Sequence, residues 1–215
     1  MTKDDICYMA IDGRDNEENA VERLCEIGDK AKDKFGFGEI VVLSAREPRN
    51  PPKHTKVVKI QKLDYKQYSQ FVFSQLHVYT DKPFILIYQD DGFAVHPENW
   101  DDDFLAYDYI GAPWPNLPWF PWAVDGFDVG NGGFSLRSKK LCEACSGLAF
   151  PYGEAEDMVI SVHYRNLLTS RGFKFAPLEV AKKFSYEYKV DPLHTFSSSF
   201  GFHAKFNLEL VPKND

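Results

Sequence analysis

Asp90 and Asp91 follow the apolar run FILIY at 84–88 with Gln89 alone between. Two adjacent carboxylates repel each other, and a divalent cation with a preference for hard oxygen ligands relieves that repulsion while gripping a diphosphate. The same pair also suits an acidic turn ahead of Gly92. Further along, Asn131, Gly132 and Gly133 make a glycine turn that lets backbone come close to a ligand. Glu154, Glu156 and Asp157 put carboxylates at a helix start, and His203 lies in the aromatic segment SSSFGFHAKFN. Taken singly, each has a purely structural reading: turn glycines, dipole-stabilising acids and a packed or surface histidine.

These residues need a scaffold that gathers them. DICYMAID at 5–12 reads as a buried strand, and 16–35 as a helix with Ala20, Leu24, Ile27 and Ala31 on one stripe, closed by Gly36 and Gly38. EIVVLS at 39–44 is a second strand. The Pro-rich AREPRNPPKH after it can continue neither a helix nor a ladder, and 56–60 is a third, short strand. Tyr68, Phe71, Val72 and Leu76 recur at helical spacing within 64–79, and FILIYQ at 84–89 is an apolar run of strand length. This alternation predicts an α/β fold with a largely parallel sheet between helices, whose ligands sit beyond the carboxyl ends of the strands. Binding residues are therefore expected after Asp12, Ser44 and Gln89.

Between 100 and 128 the periodicity fails, and GNGGFSLRS at 130–138 reads as a turn into a helix at 139–145. A further helix is expected at 154–168, with strands at 173–180 and 182–188. Neither a repeat nor a linker interrupts the chain, so one domain over 1–215 is expected.

Composition narrows the choices. With 44% hydrophobic and 27% charged residues among 215, the chain has ordinary globular balance. A net charge of -7 argues against a nucleic-acid partner bound through a broad basic surface. No apolar run reaches the roughly 20 residues that span a bilayer, and the N-terminus lacks a signal-peptide pattern, which points to the cytoplasm. Cys7, Cys25, Cys142 and Cys145 contain only one close pair, so reduced thiols are expected rather than a zinc site.

The order Gln89-Asp90-Asp91, Asn131-Gly132-Gly133, Ala155-Glu156-Asp157 and His203 resembles the four motifs of GT-A glycosyltransferases. YDYIGAPW at 107–114 and VGNGGFSLRS at 129–138 are similar to a family of glycosyltransferases known mainly from sequence, and to the N-terminal glycosyltransferase domain of a larger chlorella-virus protein. The resemblance implies a single-domain GT-A (nucleotide-diphospho-sugar transferase) fold, with a mainly parallel, twisted central sheet flanked by helices. It implies transfer from a UDP-sugar donor to a carbohydrate acceptor with inversion, assisted by manganese or alternatively magnesium. Carried onto this chain, it implies Asp91 and His203 as metal ligands, Asp90 at the ribose or on the metal through water, and Gly132 and Gly133 beside the donor. Uracil and ribose would lie near Ala10, Ile11, Asp12 and Arg14. Asp157 would be the base, kept ionised by its helix N-terminus, with Glu154 and Glu156 towards the acceptor.

Trp114, Trp119, Phe120 and Trp122 interleave with four prolines. Stiffened, exposed rings would stack on a sugar's C–H face, whereas the same segment folded inwards would be core. Asp101, Asp102 and Asp103 read as a helix cap, His96 as a loop residue, and Cys142 with Cys145 as helix thiols. Two other functions fit parts of the pattern. A nucleotidyltransferase acting on sugar phosphates would use a similar sheet and metal, but wants a glycine-rich basic loop where this chain has AIDGRDNEEN. A non-catalytic carbohydrate-binding module would rest on the aromatic segment alone.

Overall fold

The computed structural model describes residues 1–14 and 19–212, without the side chains of Val124 and Asp125. Strands β1 (Ile6–Asp12), β2 (Glu39–Ser44), β3 (Lys56–Lys59), β4 (Phe84–Ile87), β5 (Tyr109–Pro113) and β6 (Val129–Ser138) form one sheet in the order β3-β2-β1-β4-β6-β5. β1 pairs in parallel with β2 and β4, β2 with β3, and β6 runs antiparallel to both β4 and β5. The mainly parallel α/β sheet expected from the sequence is therefore present. Its strand order reverses between β1 and β4, and a crevice opens at such a switch point beyond the carboxyl ends of the strands.

β1 is buried along its whole length, which explains its unbroken apolar sequence. Its side chains alternate between two layers. Cys7, Met9 and Ile11 pack with Val41, Leu43, Ile85, Ile87, Val72 and Leu76, the last two from α2 (Tyr65–Ser74) and the turn after it. Ile6, Tyr8 and Ala10 pack on the other face with Leu24 and Ala31 of α1 (Ala20–Phe35) and with an aromatic group including Phe134, Phe184 and Phe200. Asp64 caps α2, its carboxylate accepting from the Gln67 N–H at 2.8 Å. The expected start of the first helix at Asn16 lies outside the described residues.

Several elements differ from their sequence reading. The expected helix over 64–79 ends at Ser74 and is followed by a tight turn at Leu76–Val78. The glycine segment at 130–138 is no turn but strand β6. Phe134 and Leu136 alternate into the aromatic layer, and its glycines let bulky groups press on the backbone. The region 100–128 holds β5, buried throughout. The expected helix at 154–168 breaks into α4 (Glu156–Met158), a π-helical turn (Val159–His163) and α5 (Arg165–Ser170), after α3 (Lys139–Ser146). Across the expected strands at 173–180 and 182–188 runs α6 (Leu178–Phe184), preceded by Pro177 as its N-cap and burying Ala181 and Phe184 on one stripe. Ahead of the helix Phe175 bridges Tyr109 in parallel, and after it β7 (Ser185–Tyr186) pairs in parallel with β8 (Gly201–Phe202). All four cysteines are free and buried. Among the described residues no helix is long and apolar enough to cross a membrane.

Candidate functional site

A cleft of about 350 Å³ opens at the switch point, lined by Ile11, Asp12, Gly13 and Arg14 after β1 and by Gln89, Asp90 and Asp91 after β4. Leu63, Tyr65 and Tyr68 close one side, and Lys205 reaches it from the C-terminal segment. Asp12 is buried. Its Oδ1 accepts from Arg14 N at 3.2 Å and Nε at 2.6 Å, while Oδ2 is buried with no hydrogen-bond partner among the described residues. Ile11 faces the cleft as expected. Ala10 does not: strand alternation turns it into the α1 layer, with no exposed surface.

The two adjacent aspartates have separate environments. Asp90 Oδ2 accepts from Arg23 at 2.9 Å and Arg14 at 3.4 Å. Burial acts to raise its pKa, but the two guanidiniums outweigh it and hold the carboxyl below its ordinary range. Asp91 instead faces His203, with Oδ1 and Nε2 4.0 Å apart. The Gln89 Oε1 stands 3.3 Å from the same nitrogen, and Gln89 Nε2 donates to the Tyr68 hydroxyl at 2.9 Å. Burial alone would lower the His203 pKa, but Glu187 beside Nδ1, with Asp91 and Asp157 nearby, raises it.

Gly133 is where β6 meets this histidine. A Cβ there would overlap the imidazole ring, and one on Gly132 would stand 2.6 Å from Glu156 Oε1 and 2.9 Å from Asp157 Cβ. The glycines thus serve close approach of side chains to a strand, with extended backbone.

Asp157 accepts from the Gly132 N–H at 2.9 Å through Oδ2 and from the Met158 N–H at 2.7 Å through Oδ1. A charge-stabilising helix N-terminus is expected to set its ionisation, but other influences act more strongly here. Burial first, and the Glu156 charge second, push its pKa up to about 7 despite both backbone donors. Glu156 does not point to an acceptor either. It is buried and ion-paired at 3.0 Å with Arg137, which is itself 1% exposed and also donates to Ser135. Glu154 is exposed in the bend before α4.

Of the three tryptophans in the Pro-rich segment at 113–122, Trp114 is 4% exposed beneath Phe120 and Trp122, so it offers no open face. Trp122 is half-buried against Phe120, whereas Trp119 is 63% exposed. Asp101 caps the turn after it, accepting from the Asp103 N–H.

Among the described residues, no group of three or more His, Cys, Asp or Glu side chains is arranged to hold a metal. A cation that grips a diphosphate needs fewer, since one or two protein ligands plus phosphate oxygens and water suffice. Two donors on one cation, each about 2.1 Å from it, stand no more than about 4.2 Å apart, so Asp91 and His203 fit as such a pair. Sequence reasoning passed over Arg23, Lys205, Arg137 and Glu187. Of these, Lys205 alone had a signal, two residues beyond His203.

A family model described as "Protein of unknown function (DUF5672)" matches residues 54–203. The chain belongs to that family. No curated protein matches the sequence. Solved structures do resemble the fold. A glycosyltransferase involved in the glycosylation of the major capsid of PBCV-1 is 12% identical over 93% of this chain and 93% of its own, with a TM-score of 0.53. An active-site mutant of LgtC is 14% identical over 93% of this chain and 87% of its own, with a TM-score of 0.50. This DUF5672 chain therefore has the GT-A-like fold implied by its motifs, with the aspartate pair, glycine strand, Asp157 and His203 gathered around β4 and β6.

Proposed function

We propose that this DUF5672 protein is a glycosyltransferase that moves a sugar from a UDP-sugar to a carbohydrate hydroxyl. The observation that carries this reading is the meeting of Asp91 and His203, 4.0 Å apart, beside a cleft of about 350 Å³ at the β1/β4 switch point. The cleft mixes apolar walls with cations, as a nucleoside diphosphate requires. Ile11, Leu63 and the ring of Tyr65 flank the nucleoside, while buried Asp12 fixes Arg14 at the cleft wall through its Oδ1. Arg14, Arg23 and Lys205 neutralise the diphosphate, with Asp90 fixing the two guanidiniums rather than meeting the ribose itself.

Asp91 and His203 would hold manganese or magnesium, which when bound acts as a Lewis acid on the charge of the leaving diphosphate. Asp157, fixed by two backbone N–H groups, takes the proton of the acceptor hydroxyl. Burial raises the pKa of this carboxyl, which makes it a stronger base towards that proton. Attack from its side, opposite the leaving group, inverts the anomeric centre. Trp119 offers the acceptor an open ring face.

The test is a panel of nucleotide-sugars incubated with manganese, with and without acceptor sugars, followed by product analysis. Sugar transfer with inverted configuration is expected. Intact donors throughout would favour a carbohydrate-binding module, and release of pyrophosphate from a nucleoside triphosphate would favour a nucleotidyltransferase.

A further inference from the structure

Resting on the reading of Asp91 and His203 as a metal pair, we propose that Glu187 is the positioning residue that orients the His203 ring. Glu187 takes the Nδ1–H, so that Nε2 is the nitrogen presented to the cation.

The geometry comes from the two-stranded sheet of β7 and β8. β7 and β8 pair in parallel with Tyr186 opposite Phe202, and the next residues along each strand are Glu187 and His203. The His203 N–H donates to the Tyr186 carbonyl at 2.9 Å, continuing that ladder. Buried Asn207 ties the two together, its Nδ2 donating to the Glu187 carbonyl at 2.9 Å and the His203 carbonyl at 2.7 Å. Both backbones are thus fixed before either side chain is placed.

The side chains then meet directly, with Glu187 Oε1 3.3 Å from His203 Nδ1. Glu187 is 7% exposed and its Oε2 has no hydrogen-bond partner among the described residues, an arrangement that folding alone does not favour. A buried carboxylate with an unsatisfied oxygen is costly in a purely structural role, but one that holds a ligating imidazole is the common outer partner of metal-bound histidines. On the far side of the ring, Nε2 faces Asp91 Oδ1 and Gln89 Oε1. The ring is also confined by glycines, since a Cβ on Gly92 would lie 2.8 Å from Cδ2 and one on Gly133 would overlap the ring. Carboxylate, imidazole and Asp91 form one line from β7 to the end of β4.

The test uses manganese alone, its affinity measured by electron paramagnetic resonance for the wild type, His203→Ala, Glu187→Gln and the double variant, with circular dichroism as a check on folding. Glu187→Gln keeps the shape and removes the charge, so the affinity should fall by about 10- to 100-fold, the usual scale for an outer-partner loss. In the His203→Ala background the same change should have almost no further effect, because Glu187 acts through that ring. Equal affinity in the wild type and Glu187→Gln would overturn the assignment, as would an equal loss with and without His203. If His203→Ala binds manganese as the wild type does, the metal-pair reading itself fails and the role of Glu187 falls with it. A Glu187→Asp variant that restores part of the affinity would support the positioning role even if Glu187→Gln folds poorly.

Discussion

Asp157 is held against strand β6 by Gly132, whose N–H donates to its Oδ2 at 2.9 Å, while Oδ1 takes the Met158 N–H. The contact exists because position 132 has no Cβ, which would crowd Asp157, Glu156 and Arg137 at once. Asp157→Asn should keep the shape and remove the base, so transfer should drop by roughly 10²-fold or more with donor affinity almost unchanged. Near-normal transfer by this variant, measured with a saturating donor, would remove Asp157 from the mechanism.

The same carboxyl gives a pH signature. Folding raises its pKa to about 7, against about 3.9 for an unfolded aspartate. The folded state binds this proton more tightly, so the contribution to stability is fully present below about 3.9 and is lost as pH rises through about 7. The melting temperature of Asp157→Asn should therefore rise relative to the wild type across that interval. A constant difference between the two proteins would contradict the raised pKa.

Arg137 and Glu156 form a buried ion pair under the glycine strand. Glu156→Ala should destabilise by about 3–5 kcal/mol, because it leaves a buried guanidinium without its counter-charge. Arg137→Met with Glu156→Met should cost much less than the two single changes together. Denaturant unfolding reads this directly, and additive losses would mean that the pair is not coupled.

The tryptophans should separate. Trp119→Ala, at an exposed ring, should change stability by no more than about 0.5 kcal/mol while raising the acceptor KM. Trp114→Ala should melt early, since it removes a buried ring from the Phe120 and Trp122 cluster at about 3–5 kcal/mol. An unchanged acceptor KM in Trp119→Ala would leave the platform without support.

What the sequence disclosed follows from how local each signal is. FILIY followed by Asp90 and Asp91 names a buried strand and places carboxylates at its end, because strand and ligand position are adjacent in the chain. The glycines at 130, 132 and 133 misled for the opposite reason. They are absent side chains demanded by Trp114, Asp157 and His203, all distant in sequence, and local reading turns them into a bend. PLEVAKKF at 177–184 is too short for its helical stripe to stand out from a strand. Glu187 carries no local signal at all, since its meaning comes from pairing with β8 across 16 residues of chain.

The central claim is that Asp91 and His203 serve a nucleotide-sugar cleft, and it is tested most directly by manganese-dependent turnover and melting of wild type and Asp91→Ala with UDP-sugars. The wild type should release UDP from at least one donor only when manganese is present, and that donor should raise its melting temperature. Asp91→Ala should keep its fold and lose both responses. Metal-stimulated UDP release that survives in Asp91→Ala, or a wild type that neither cleaves nor is stabilised by any UDP-sugar with manganese, would contradict the account.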